Sequence, residues 1–170
     1  MKKIIPIIGV VLVLLWMILI FIFSSKSGDD VGGITSSIAN NLINVFAHDK
    51  FASLDLNKQK EIITNLKIFI AKSAHFCEYA ILCLFCFIML IRLTKYNLRY
   101  IISLLICTAY AISDECHQMI SIGRTPKVLD VFIDISGALI MLLTIKLILI
   151  IYNNIRIGKP NDWYSFSFVQ

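Results

Sequence analysis

The sequence predicts an all-α integral membrane protein, a four-transmembrane-helix bundle with amphipathic surface helices in the first extracytoplasmic loop. Three observations lead there. The 170-residue chain is 58% hydrophobic and 16% charged, and its mean hydropathy of +0.82 lies far outside the range of ordinary soluble domains. Its apolar residues gather in four long runs, and its polar and ionisable residues recur at helical spacing toward one end of those runs. The whole chain, 1–170, reads as one membrane domain.

The first span covers about residues 4–23: Lys2 and Lys3 precede an apolar stretch of roughly 20 residues, enough to cross a bilayer at about 1.5 Å per residue. A cleaved signal peptide would have a shorter apolar region and a small-residue cleavage site. Here Trp16 to Phe23 is bulky and Ser24, Ser25 and Lys26 follow, so the segment reads as an uncleaved span.

Residues 24–71 form an extracytoplasmic helical segment. It opens on a turn-rich stretch, Ser27 to Asp30 and Gly32–Gly33. Ile34, Ile38, Leu42, Val45 and Phe46 then recur at helical spacing, as do Ile62, Leu66, Phe69 and Ile70 opposite Lys60 and Lys67. The spacing predicts two amphipathic helices on the membrane surface, the second capped by Asp55 or Asn57. The remaining spans fall at about 72–92, 99–120 and 128–152, with a short cytoplasmic tail, 153–170. The apolar part of the third, Tyr100–Ile112, covers only about 20 Å, so its helix must continue through the polar DECHQ stretch to complete a crossing.

Lys2, Lys3, Arg92, Lys95, Arg99, Arg156 and Lys159 flank the presumed inner ends, which predicts both termini in the cytoplasm. The net charge of +5 is spread out, with no basic stripe and interleaved aromatics of the kind that binds nucleic acid; it suits a neighbour of anionic membrane lipids. The five cysteines, Cys77, Cys83, Cys86, Cys107 and Cys116, are odd in number and lie mostly in apolar runs, so they do not form a disulfide framework. Cys83 and Cys86 read as two small packing residues on one helix face.

Measured from the inner boundary, Glu78 and Asp114 each lie about 14 residues in, near 21 Å, and His75 and His117 about 17 residues in, near 25 Å. Each pair has i, i+3 spacing: His75 with Glu78 on span two, Asp114 with His117 on span three. Gln118 extends the second face. Span four adds Asp130 and Asp134 at i, i+4, with Gly137 and Ala138 allowing a neighbouring helix to approach, and span one contributes Ser24 and Ser25. Together with Lys72, Glu115 and Arg124, the polar groups converge on the outer end.

Three readings of this cluster stand side by side. It is a satisfied hydrogen-bond network that fixes the bundle, with Arg124 and Lys127 pairing Asp130 or Glu115. It is a metal site of the kind that paired His and carboxylate side chains build on facing helices. Or it is a metal-free acid–base and anion site, in which a histidine moves a proton and Arg124 holds a phosphate or carboxylate. The residues leave open whether a metal or other cofactor is held. A serine at a helix end is more often a cap than a nucleophile, which bears on Ser24 and Ser25.

The segments "FSSKS" at 23–27, "AKSAHFCEYAILC" at 71–83 and "YAISDECHQMISIGRTPKVLDVFIDISGALI" at 110–140 resemble the signature blocks of the VanZ-like family. The matching positions are Ser24, Ser25, Lys72, His75, Glu78, Tyr79, Asp114, Glu115, His117, Gln118, Arg124, Asp130 and Gly137. Lys26 stands where that family often has Gln, and Asp134 where Asn is frequent. The resemblance implies a multi-pass protein of the bacterial cell membrane linked to tolerance of glycopeptides such as teicoplanin, or to cell-envelope homeostasis. On that basis His75, Glu78, Asp114, Glu115 and His117 are the candidate catalytic residues, and Ser24, Ser25, Lys72, Gln118, Arg124, Asp130 and Asp134 the candidate substrate-binding ones. The expected partners are membrane lipids and a lipid-linked envelope component or lipoglycopeptide. The alternative is a non-catalytic binding or adaptor protein that sequesters a lipid or shields the antibiotic's target.

Overall fold

A computed structural model describes residues 4–120 and 127–157. Every regular element among them is an α-helix: α1 (Ile4–Ser24), α2 (Gly28–Phe46), α3 (His48–Ala52), α4 (Leu56–Leu90), α5 (Tyr96–Gln118) and α6 (Val128–Ile157). Three of these, α1, α4 and α6, are long and apolar enough to cross a membrane. Helix α5, with 23 residues, reaches about 34 Å but carries Arg99, Asp114 and Glu115 buried among its residues. It continues unbroken through the DECHQ stretch, as its short apolar run required.

The helix boundaries follow local chemistry. Ser27 caps α2: its hydroxyl accepts from the Asp30 backbone N–H at 3.1 Å and donates to the Asp30 carboxylate at 2.7 Å, and Asp29 and Asp30 fill the first turn. Asp55 caps α4, one carboxylate oxygen accepting from the Asn57 and Lys58 backbones at 3.0 Å each. The amphipathic stretch Ile62–Ile70 is not a separate helix. With neither Gly nor Pro after it, the chain runs on into the apolar segment as one 35-residue helix. Helix α2 lies against α4 and buries Thr35, Ala39 and Ile43.

Contacts along the helices fix their directions. Trp16 Nε1 donates to the Glu78 carbonyl at 2.9 Å and Gly9 meets Met89, so α1 and α4 are antiparallel. Tyr79 faces Tyr110 with ring centroids 6.3 Å apart, and Phe87 faces Tyr100 at 5.0 Å, so α4 and α5 are antiparallel. Lys72 meets Asp130 and Phe76 meets Gly137, so α6 runs parallel to α4. The four long helices therefore alternate in direction. Tyr110 ties α5 back to α1 through a 2.6 Å bond to the Met17 carbonyl.

The core between them is built from Ile20, Tyr79, Leu82, Ala111, Ala138 and Leu142 with three thiols, Cys83, Cys86 and Cys107. All three thiols are fully buried and all five cysteines are free, in keeping with a packing role for the Cys83–Cys86 pair. Outside, α1 and α6 present rows of large apolar side chains, among them Leu14, Ile18, Ile22, Leu143, Leu147 and Ile151. Water would penalise such a surface and hydrocarbon would not, as a membrane protein requires.

Glycine decides how closely α6 approaches α4. A Cβ on Gly137 would fall 3.0 Å from the Phe76 carbonyl carbon and nearer still to its oxygen, both parts of the α4 backbone that cannot rotate away. Gly33 has nothing within 4 Å of such a Cβ. Gly137→Ala is therefore expected to cost about 1–3 kcal/mol by overpacking, whereas Gly33→Ala is expected to leave stability unchanged or raise it by about 0.4–1 kcal/mol. Thermal unfolding of the two purified variants checks the pair; equal melting temperatures would contradict the close approach.

Candidate functional site

At the end of the bundle where α1 stops, α4 brings three polar side chains onto one face: His75, Glu78 and Tyr79, at i, i+3 and i+4. Opposite, α6 supplies Asp134, 2% exposed. His75 Nδ1 lies 3.7 Å from Glu78 Oε2 and 3.8 Å from Asp134 Oδ1, so the imidazole sits between carboxylates from two helices. One turn up α4, Lys72 Nζ donates to Asp130 Oδ1 at 2.9 Å and fastens the same two helices.

Helix α5 brings the second set. Asp114, 4% exposed, accepts from Gln118 Nε2 at 3.2 Å. Glu115 is buried and accepts from the Lys127 backbone N–H, which ties the end of α5 to the start of α6. Asp134 lies within electrostatic reach of Glu78, Asp114, Glu115 and Asp130. Tyr79, with no exposed surface, lies between the sets, within reach of Glu78, Asp114 and Asp134.

His117 makes its contacts with α1 and the residue that follows it. Its ring stacks on Phe21, centroids 4.3 Å apart, and its Nε2 is 3.0 Å from Ser25 Oγ. Ser25 donates its single hydroxyl proton to the Phe21 carbonyl at 2.7 Å, so in the Ser25–His117 bond the serine accepts and Nε2–H donates. A serine held this way ends a helix and fixes a histidine tautomer; it is not poised as a nucleophile. Ser24, the last residue of α1, is buried and lines a cavity of about 270 Å³ with His75 and Glu78.

Of the residues singled out from the sequence, Lys72, His75, Glu78, Asp130 and Asp134 thus form one group across α4 and α6. Asp114, Glu115 and Gln118 form another on α5, and Ser25 with His117 a third at the end of α1. Arg124 lies outside the described residues. Lys72 pairs with Asp130, and Lys127 meets Glu115 through its backbone N–H. Among the described residues, no three His, Cys, Asp or Glu side chains are grouped so as to hold a metal ion. Tyr79 was missed as a site residue, although its spacing four residues after His75 places it on the same helix face.

The family model VanZ/LLP1 matches residues 9–150, which takes in all of these groups. The chain belongs to the VanZ/LLP1 family. Neither the curated proteins nor the solved structures include a significant match. The family match and the three apolar helices together make this a VanZ/LLP1 membrane protein.

The bridge between Lys72 and Asp130 joins side chains that are 38% and 29% exposed, so its net contribution is expected to be small. A double-mutant cycle with Lys72→Met and Asp130→Asn is expected to give a coupling of roughly 0.5–1 kcal/mol, on the scale of exposed pairs. Zero coupling in chemical or thermal unfolding would show that the pair does not hold α4 to α6.

Proposed function

We propose that this VanZ/LLP1 protein binds an anionic, lipid-linked component of the cell envelope in an outward-facing site within the membrane, and through that site raises tolerance of teicoplanin-type glycopeptides. In this reading α5 is a fourth span, which its length and the alternating directions of the four long helices support. Helix α2 and the first half of α4 then lie on the outer surface, and both termini are cytoplasmic.

One observation carries the reading. Tyr79 Oη, Asp114 Oδ1 and Asp134 Oδ1 are buried and have no hydrogen-bond partner among the described residues. Buried polar atoms are nearly always satisfied, and a structural network that left three of them so would be dearer than apolar packing. Their hydrogen-bonding capacity would serve a ligand group that reached them past His75 and Glu78, which line the cavity. His75, between Glu78 and Asp134, is the group able to take up or release a proton there. Lys26 and Arg124 supply positive charge for an anion. The Ser25–His117 geometry favours binding, with or without proton transfer, over covalent catalysis through serine.

Expressed in a susceptible host, the protein is expected to raise the teicoplanin concentration needed to stop growth. His75→Asn and Glu78→Gln are each expected to return it to the level of cells without the protein, at equal amounts in the membrane. If both variants protect as well as the parent, the site has no part in tolerance. Loss in Glu78→Gln with ligand binding retained would assign a chemical step; loss in proportion to affinity would assign binding alone.

A further inference from the structure

Helix α2 takes no part in the acid–base groups, yet it packs along α4 and with it borders the half-open 270 Å³ cavity. Ile34 and Ile38 of α2 form one wall and Ile70, Ala71 and Ala74 of α4 the other; the polar edge is Ser24, Lys26, His75 and Glu78. Phe23 completes the wall, and the Lys26 ammonium sits over its ring, 4.8 Å from the centroid. A chamber with mostly apolar walls and a few polar groups on one edge is the usual form of a small-ligand site.

We infer that this cavity takes one acyl chain of an anionic amphiphile, with the chain between α2 and α4 and its polar linkage against His75 and Glu78. The volume sets the scale of what lies within the groove: at roughly the 30 Å³ that a water-sized group occupies, about nine such groups fit, the size of one chain segment. Lys26 is the one lysine among its lining residues and Glu78 the one carboxylate, so a negative headgroup is placed at the Lys26 side. Ala71 and Ala74 set the width, since any larger side chain there would fill the space. The inference rests on the proposed function for the role of His75 and Glu78, and on the cavity alone for the chain.

The test is photolabelling of the full-length protein in lipid nanodiscs with lysophosphatidylglycerol carrying a diazirine on its acyl chain, the labelled residues being mapped by mass spectrometry. Label is expected on Ile34, Ile38, Ile70 and Ala74. It should be competed by unlabelled lysophosphatidylglycerol and not by an alkyl maltoside of equal chain length. Ala71→Trp and, from the opposite wall, Ile38→Trp are each expected to weaken cavity labelling about tenfold by occupying the chain's volume, with melting temperatures reporting that both variants fold. Label confined to the outer faces of α1 and α6, or cavity label that either folded tryptophan variant leaves intact, overturns the inference. Equal competition by the maltoside overturns the anionic preference. Cavity labelling with teicoplanin tolerance unchanged in His75→Asn supports the chain cavity and overturns the acid–base reading, so the two fail separately.

Discussion

The parallel contact of α6 on α4 at Gly137 is the constraint on which the polar end of the molecule depends. With no side chain at 137, the α6 backbone rests on the Phe76 peptide, and that register determines what lies a turn away. Asp134 falls opposite His75 and Asp130 opposite Lys72. Had the helices stood farther apart, a 2.9 Å lysine–carboxylate contact and a histidine between two carboxylates would both be out of reach. Close packing of small residues is a principal means of association between helices in hydrocarbon, where the hydrophobic effect between them is weak. The same contact thus supplies cohesion and builds the site.

A second close approach, Gly9 on Met89, lies toward the other end of α4. Together with Trp16 on the Glu78 carbonyl, it aligns α1 so that its last turn reaches the level of α5's polar end. Ser25 meets His117 there. Helix α4 touches α1, α2, α5 and α6, so every functional group is positioned relative to this one element. Its 35 residues reach about 52 Å, which exceeds the thickness of a hydrocarbon core. In the proposed arrangement the excess lies outside the membrane and forms the platform on which α2 lies.

The helical class, the placement of the long helices and the clustering of ionisable residues could be read from the sequence, because hydropathy and i, i+3 spacing are local properties. The partners could not. Spacing puts His117 and Asp114 on one face of α5 but does not say which neighbour approaches that face. Phe21 and Ser25 take the imidazole, and Gln118, at i+4, takes the carboxylate. Lys72 found Asp130 across 58 positions, a pairing that only the α4–α6 register determines. The continuity of α4 was obscured by its change of character at Lys72, from one amphipathic face to apolar on most sides, although nothing in its sequence breaks a helix. The groove beside α2 was hidden for a related reason: Ile34 and Ile38 are 46% and 41% exposed, as an outward-facing stripe would be, and yet line the groove, and nothing local shows that such a stripe borders one.

The charge of the polar end has a consequence for its occupant. Glu78, Asp114, Glu115 and Asp130 each lie within electrostatic reach of Asp134, and Lys72 is engaged with Asp130. His75, between two of these acids, is placed to exchange a proton with either. An anion brought to the centre of this group would meet repulsion; an anion at the Lys26 edge would not. The polar part of an anionic ligand is therefore directed to the rim of the cavity, with its neutral linkage and chain turned inward. In the proposed function that orientation would set the neutral linkage against His75 and Glu78, which line the cavity, and keep the charge at its Lys26 side.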